Sequence, residues 1–298
     1  MQSKRLQHLL TLLALPDEYA SFVSLYLEPL AATLDARIRR GGTSLIGING
    51  SQGSGKSTAA LFLKLLLESI YGHRIAVLSI DDFYHTRARR HELSRTVHPL
   101  FATRGVPGTH DIGLALKTIE ALKHAADGQY VEVPRFDKEH DERRPRAEWE
   151  QLQGPFSAII LEGWCIGAPP LDEAALNKPI NALERIEDAE SIWRRTYGRF
   201  LAGEYQQLFD CIDWLLMLKA PGFAVVYEWR LLQEQKLAQS AAQASALLDE
   251  KQLAHFIQHY QRLTEHCLKK IPAMADAVIE LDEQHRMTGL KVNQVDIT

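Results

Sequence analysis

The stretch GINGSQGSGKSTAALFL, residues 47–63, decides the fold of this chain. It places four glycines and one lysine within ten positions, between an apolar run and an amphipathic segment. A tight turn needs only one or two glycines, so a turn alone does not explain this composition.

The segment from Gly50 to Ser57 fits the pattern G-x-x-x-x-G-K-[ST] of a phosphate-binding loop. Glycines let successive backbone N–H groups turn inward around phosphate oxygens, and the following helix presents its N-terminal donors to the same anion. The lysine adds a positive charge at the β- and γ-phosphates, and the Ser57 hydroxyl is a ligand for Mg²⁺. The predicted nucleotide-binding residues are Gly50, Ser51, Gln52, Gly53, Ser54, Gly55, Lys56, Ser57 and Thr58.

The elements around the loop fit this interpretation. Apolar runs predict strands before and after the loop, and a helix over 57–70 starts where the loop ends. Strands that alternate with helices predict a parallel β-sheet with helices on both faces. We therefore expect an α/β protein with the P-loop NTPase fold, a helical lid and an N-terminal helical extension. The predicted strands are 43–48, 74–80, 130–136, 156–164, 211–221 and 275–282, with a helix over 111–128 and long helices from 221 to about 270.

Composition narrows the class of protein. The 298 residues carry a formal charge of −4, which gives no electrostatic reason to expect nucleic-acid or membrane binding. The apolar runs are shorter than the roughly 18 residues that span a bilayer, and the N-terminus lacks the pattern of a secretory signal. The three cysteines include no C-x-x-C pair, so neither a disulfide framework nor a structural zinc is indicated. We expect a cytoplasmic protein.

Two adjacent carboxylates mark the type of P-loop protein. A GTPase would recognise guanine with an N-K-x-D motif, but the only N-K-x-x segment, 177–180, has isoleucine in place of the aspartate. No transport-ATPase signature is present. Instead, Asp81 and Asp82 end the second predicted strand, at the edge of an α/β sheet where ligands bind. A small-molecule kinase needs a carboxylate there to orient the proton of the attacking hydroxyl. Position alone leaves open which of the two is the base and which caps the next turn.

A further carboxylate, Glu162, ends the strand IILEGW at 159–164. This is the place for a residue that holds Mg²⁺ through water, and it completes the set of groups that a kinase needs. The predicted cofactors are therefore ATP and Mg²⁺, with Ser57 and Glu162 as the metal-binding residues.

Taken together, the motifs resemble those of the D-glycerate 3-kinase family of plants, fungi and bacteria. The resemblance extends from about residue 43 to 290. The chain is more distantly similar to uridine kinase, phosphoribulokinase and bacterial pantothenate kinase. The resemblance to the D-glycerate 3-kinase family rests on the segments GINGSQGSGKST, SIDDFY, RGVPGTHD, VPRFDK, EGW, ERIEDAESIWRR and LFDCIDWLLMLKAPGFAVVYEWRLLQEQKL.

The resemblance implies roles for individual residues. Asp81 matches the catalytic base, and Arg230 matches a lid arginine that closes over the phosphates, so the expected catalytic residues are Asp81, Lys56 and Arg230. Arg104, His110 and Asp111 fall in the substrate loop and, with Asp81, form the expected substrate site. By residue type, Arg104 and His110 suit an anionic acceptor, whereas Asp111 suits a helix cap equally well.

The sequence thus predicts an ATP-dependent kinase that phosphorylates a hydroxyl of a small acceptor, with D-glycerate as the first choice. The chain departs from the family near the acceptor pocket, in the charged run FDKEHDERRPR and in Cys165, which follows EGW where the plant enzymes have methionine. Other acceptors therefore stay open, namely a nucleoside, pantothenate or a sugar acid, as does a nucleotide-binding regulatory protein without turnover. We predict an N-terminal helical extension at 1–42 and a kinase domain at 43–298. The oligomeric state does not follow from the sequence.

Overall fold

A computed structural model of the chain describes residues 2–239 and 250–293. In this part of the chain the strands are β1 (Ser44–Gly50), β2 (Ile75–Ser79), β3 (Tyr130–Val133), β4 (Phe136–Asp137), β5 (Glu142–Arg143), β6 (Glu150–Gln153), β7 (Ala158–Gly163), β8 (Trp214–Lys219), β9 (Ala277–Leu281) and β10 (Met287–Val292). Six of them form one sheet in the order β10-β9-β8-β1-β7-β2. All its pairings are parallel except that of β9 with β10.

Helices cover both faces of this sheet. The α-helices of the described residues are α1 (Gln2–Leu12), α2 (Tyr19–Phe22), α3 (Glu28–Ile38), α4 (Lys56–Tyr71), α5 (Arg87–Thr96), α6 (Ile112–Lys123), α7 (Ala182–Ile186), α8 (Ile192–Phe200), α9 (Gln206–Phe209), α10 (Phe223–Gln239) and α11 (Glu250–Lys270). No helix in this part of the chain is both long enough and apolar enough to span a lipid bilayer. The predicted α/β class, with a mostly parallel central sheet, is confirmed.

The central strand β1 is buried along its whole length. Its side chains contribute to two hydrophobic clusters, one on each face of the sheet, with Leu45 in one and Ile46 and Ile48 in the other. This is why the strand is a continuous apolar run without polar alternation. Because its neighbours β7 and β8 run parallel to it, the carboxyl ends of all three strands meet at one edge of the sheet.

The N-terminal helices pack against the sheet layer. Leu30 and Leu34 of α3 belong to the same hydrophobic cluster as Leu63 and Leu67 of α4. All four side chains are completely buried, so the extension covers the helix that follows the phosphate-binding loop. The proposed boundary at residue 42 stays a prediction.

The structure corrects several predicted elements. Helix α6 ends at Lys123, and Gly128 lies beyond it with a positive φ of 76°. The strand predicted at 130–136 belongs to a separate two-stranded sheet with β6, and β4 pairs with β5 in another. The antiparallel strand β10 was not predicted. The predicted run of long helices is present as α10 and α11, and its residues 240–249 lie outside the described residues.

Candidate active site

The phosphate-binding loop joins the end of β1 to the start of α4 through two glycines with left-handed backbone. The backbone angle φ is +79° at Gly53 and +82° at Gly55, and residues other than glycine rarely adopt such values. A Cβ atom on Gly53 would lie 2.8 Å from Cβ of Trp229, so α10 packs directly on the loop. Both glycines are therefore needed to form the curved backbone of the loop.

Several polar atoms of the loop have no partner in the described residues. The hydroxyls of Ser51 and Ser54 are buried and make no hydrogen bond, and neither does the buried Oε1 of Gln52. Buried polar groups are normally paired, because an unpaired one costs free energy. These groups therefore fit a loop that completes its hydrogen bonds with a bound anion or with water.

The loop forms one wall of a cleft of about 520 Å³. Four cationic side chains line it, Lys56, Arg104, Lys138 and Arg230, against the single carboxylate Asp81 among the described lining residues. Aromatic rings complete the walls, and they are those of Tyr84, Trp164, Trp229, Phe256 and Tyr260. The excess of positive charge indicates that the cleft binds anions.

Ser57, which lines this cleft, contacts Glu162 near the carboxyl end of β7. The Ser57 hydroxyl donates a hydrogen bond of 2.8 Å to Oε1 of Glu162. The other carboxylate oxygen, Oε2, is buried and has no hydrogen-bond partner among the described residues. A hydroxyl and a carboxylate are oxygen ligands of the kind that Mg²⁺ prefers. The pair therefore fits a magnesium site, and the unpaired oxygen is the atom that an ion or its water would satisfy.

Asp81 lies in the cleft, on the turn that directly follows β2. Its Oδ2 accepts a hydrogen bond of 2.7 Å from Nζ of Lys138. Burial tends to raise the pKa of Asp81, but the charges of Lys138 and Lys56 outweigh it and lower this pKa to about 2. Asp81 is thus ionised and able to accept a proton or a hydrogen bond near neutral pH.

Asp82 has a different environment. Its Oδ2 pairs with Arg135 at 2.6 Å, and its Oδ1 accepts a hydrogen bond of 3.1 Å from the backbone N–H of Phe136. Burial raises the pKa of Asp82, although the charge of Arg135 acts in the opposite direction. Both contacts hold the start of β4, so Asp82 anchors a neighbouring segment and does not line the cleft.

Arg104 lines the cleft and contacts the turn that carries Lys138. Its guanidinium pairs with the carboxylate of Asp141 and donates a hydrogen bond of 3.4 Å to the carbonyl of Lys138. The hydroxyl of Tyr260 in turn donates to the carbonyl of Arg104 at 3.0 Å. The predicted cation is therefore in place, with much of its hydrogen-bonding capacity already used.

The structure corrects the expected environment of His110. Its side chain is completely buried, Nδ1 lies 2.6 Å from the hydroxyl of Tyr205, and the ring stacks on Tyr84 with centroids 4.2 Å apart. Burial lowers the pKa of His110 to about 3, so the ring is neutral and offers no charge to an anion. It lies behind the cleft wall that Tyr84 forms and is not among the described lining residues.

Asp111 likewise lies outside the described cleft lining. Its Oδ1 accepts a hydrogen bond of 3.0 Å from the backbone N–H of Leu114, which is the N-cap contact of α6. Its Oδ2 accepts from the Arg143 guanidinium at 3.2 Å. Of the two roles that the sequence left open, the structure shows the helix cap.

Comparison with known proteins places the chain in a family. Residues 45–167 match the model of the phosphoribulokinase / uridine kinase family. The chain is 30% identical over 253 residues to the uncharacterized kinase mug58 of Schizosaccharomyces pombe, an alignment that covers 76% of this chain and 87% of that protein. The chain belongs to the same family of kinases as that protein.

Other members of this kinase family are also similar. The chain is 29% identical over 224 residues to the chloroplastic D-glycerate 3-kinase of Arabidopsis thaliana, covering 72% of this chain and 46% of that protein. The solved structure of a D-glycerate 3-kinase from Cryptococcus neoformans superposes with a TM-score of 0.76 at 24% identity, and the match covers 90% of this chain and 98% of that one. The first relation confirms the expected resemblance, and the second confirms the P-loop kinase fold.

Arg230 lines the cleft from α10, one residue after Trp229, which packs on the loop. This is the side of the cleft from which a kinase lid is expected to close. Residues 240–249, which follow α10, lie outside the described residues, so the lid and the role of Arg230 in it stay predictions.

Several cleft residues were not predicted as ligands. Lys138 belongs to the motif VPRFDK and to the charged run FDKEHDERRPR, and its approach to Asp81 depends on the pairing of β4 with β5. Trp229 packs on the loop and also lines the cleft, where its ring stacks on His285 with centroids 4.1 Å apart. An aromatic residue that packs directly on a phosphate-binding loop shows no separate signal in the sequence.

Proposed function

We propose that this kinase uses ATP and Mg²⁺ to phosphorylate a hydroxyl of a small hydroxy acid, with D-glycerate as the expected acceptor. The observation that carries the proposal is the single cleft that joins the phosphate-binding loop, the ionised Asp81 and the cations Arg104 and Lys138. The name of the Arabidopsis relative, D-glycerate 3-kinase, supports the choice of acceptor.

The loop and Lys56 bind the phosphates of ATP. Backbone N–H groups from Gly50 to Thr58 surround the β- and γ-phosphates, and Lys56 neutralises part of the charge that develops on them during transfer. Ser57 and Glu162 are the residues that would hold the magnesium ion. When bound, this ion neutralises phosphate charge and fixes the orientation of the γ-phosphoryl group.

Asp81 acts on the acceptor. Its carboxylate accepts the proton of the acceptor hydroxyl, whose oxygen forms a bond to the γ-phosphorus. The bond between that phosphorus and the bridging oxygen breaks, and ADP leaves with the electron pair. Most of the rate enhancement comes from alignment and charge stabilisation, to which Arg230 contributes from the lid.

The positive charge near Asp81 favours an anionic acceptor. An uncharged nucleoside would bring no charge to pair with Arg104 and Lys138, whereas a hydroxy acid supplies a carboxylate to the cleft that both cations line. Pantothenate and sugar acids also carry a carboxylate, and they are the nearest alternatives. A regulatory protein without turnover would need no carboxylate at the position of Asp81. A cytoplasmic location stays a prediction.

The test is a screen of ATP consumption by the purified protein with Mg²⁺ over hydroxy acids, nucleosides and pantothenate, with identification of the phosphorylated product. We expect turnover with D-glycerate that is lost in Lys56→Ala. Phosphorylation of a nucleoside or of pantothenate, with D-glycerate ignored, would show that the acceptor is wrong. If none of these acceptors supports the consumption of ATP, that result would count against a kinase.

A further inference from the structure

We propose that the ammonium group of Lys138 binds the carboxylate of the acceptor, so that the turn between β4 and β5 determines which acceptors are phosphorylated. The inference rests on the proposed function, because it names the residue that recognises the acid group of the substrate. Three observations support it: the position of this turn, the contacts that hold it, and the contacts that Lys138 and Arg104 already make within the protein.

Lys138 is placed beside the reacting group. Its Nζ lies 2.7 Å from Oδ2 of Asp81, and the other oxygen of that carboxylate accepts no hydrogen bond from the described residues. A small hydroxy acid can therefore place its hydroxyl at Oδ1 of Asp81 and its carboxylate at the neighbouring ammonium.

The turn that carries Lys138 is fixed on both sides. Asp82 holds the backbone N–H of Phe136 at the start of β4, and the Arg143 guanidinium in β5 donates to the carbonyl of Tyr84 at 2.8 Å. Between them, Asp141 pairs with the buried Arg90 at 2.9 Å and with Arg104. The backbone on both sides of Lys138 is thus held in place, while the Lys138 side chain is 62% exposed and pairs with Asp81.

Arg104 is less suited to be the direct partner of the acceptor carboxylate. Its guanidinium is paired with Asp141, donates to the carbonyl of Lys138, and lies 5.5 Å from the centroid of the Phe136 ring. Binding of a second carboxylate would have to compete with these contacts. Within the described residues, Lys138 has one hydrogen-bond partner for its ammonium, Asp81, and an ammonium has three donors.

The charge of Lys138 lets the turn distinguish an acidic acceptor from an uncharged one. In the free protein Lys138 neutralises Asp81. An acid brings its own negative charge and shares the ammonium with Asp81, whereas an uncharged acceptor can offer this lysine a neutral hydrogen bond but no charge. Differences of this kind, in which a charged group is paired by one ligand and left unpaired by another, are an effective source of specificity.

The experiment compares Lys138→Met, which keeps most of the side-chain volume, with Lys138→Arg, which restores the charge. The matched control is Arg144→Met, since Arg144 is an exposed cation close in sequence whose ion pair is with Glu148 at 3.8 Å, away from the cleft. Each protein is assayed with D-glycerate, with its uncharged amide, and with ATP as the varied substrate. Far-ultraviolet circular dichroism confirms that each variant is folded.

We expect Lys138→Met to raise KM for D-glycerate by roughly 10- to 150-fold, the range for one lost hydrogen bond to a charged group. KM for ATP should stay within about twofold, the preference for the acid over the amide should collapse, and Lys138→Arg should recover part of it. An unchanged KM for the acid overturns the inference. Equal losses for acid and amide also overturn it, since they would show that Lys138 only positions Asp81.

The unaltered protein separates this inference from the proposed function. If it phosphorylates a different acid, D-glycerate is the wrong acceptor, and the same variants are assayed with that acid. If it phosphorylates only uncharged acceptors, both proposals fail. If it phosphorylates D-glycerate and Lys138→Met does so equally well, only the inference fails.

Discussion

The Ser57 hydroxyl donates a hydrogen bond of 2.8 Å to Glu162 across 105 residues of chain. The contact exists because β1 and β7 are parallel neighbours, with Ile48 level with Glu162 in the register. The helix that follows β1 therefore begins beside the end of β7. Sheet order alone brings the two metal-binding candidates together.

This contact predicts a specific effect on magnesium. Glu162→Gln removes the negative charge while keeping the size of the side chain. We expect the Mg²⁺ concentration for half-maximal activity to rise by roughly 10- to 100-fold, the usual effect of losing a group that supports a metal ligand. Initial rates against free Mg²⁺ at saturating ATP measure it. Glu120→Gln on the exposed face of α6 is the control, and an unchanged Mg²⁺ requirement in Glu162→Gln would contradict the assignment.

The loop lysine gives a second prediction. Lys56→Ala should weaken ATP binding and abolish turnover, because the loop loses the side-chain cation that meets the β- and γ-phosphates. Calorimetric titration with ATP and a coupled kinase assay are the measurements. Lys64→Ala, at a half-buried position of the same helix whose ion pair is with Glu68, should behave like the parent. If Lys56→Ala binds and hydrolyses ATP normally, the cleft is not a P-loop nucleotide site.

Substitution of Asp81 and substitution of Asp82 are expected to have different effects. Asp81→Asn should lower kcat by roughly 10²- to 10⁴-fold with little change in ATP affinity, as for loss of a general base. Asp82→Asn should do less to kcat, and should lower the melting temperature because it weakens the contacts to Arg135 and Phe136 that hold β4. Comparable losses of kcat, or the reverse order, would mean that the base is assigned to the wrong residue.

Sequence reasoning located the nucleotide side of the site because its signals are local. Gly53, Gly55, Lys56 and Ser57 are adjacent in the chain, and their chemistry follows from their spacing. Asp81 and Glu162 are far apart, but each ends a strongly apolar strand. In a parallel sheet such residues meet at one edge, so their proximity also follows from the pattern.

The acceptor side depends on contacts that no local pattern encodes. Lys138 reaches Asp81 only because β4 and β5 form a hairpin, and that hairpin has two residues in each strand, too few for a periodic signal. His110 was predicted to face an anion from its place in a loop; its burial comes from packing against Tyr84 and Tyr205. Long-range packing thus decided which loop side chains face the cleft.

The pKa of Asp81 predicts the pH dependence of catalysis. This carboxyl is buried, which alone would raise its pKa, but Lys138 and Lys56 bring it to about 2. A base with a lowered pKa stays ionised as pH falls, so Asp81 should cause no loss of kcat between about pH 8 and pH 5. In Lys138→Met the pKa rises, and the acidic limb of the profile should move to higher pH. Profiles of kcat for both proteins test this, and an acidic limb that does not move would count against the pairing.

The last prediction concerns Arg104, which lines the cleft and also holds the turn of Lys138 through Asp141 and the Lys138 carbonyl. Arg104→Ala should raise KM for D-glycerate by roughly 10- to 150-fold and leave KM for ATP nearly unchanged. A double-mutant cycle with Lys138→Met separates direct from indirect action. If Arg104 acts mainly by positioning the turn, the combined loss should be clearly smaller than the product of the two single losses. Multiplicative losses would show that Arg104 contacts the acceptor independently. An effect of Arg104→Ala on ATP alone would instead make it a phosphate ligand, and the acceptor carboxylate would then depend on Lys138.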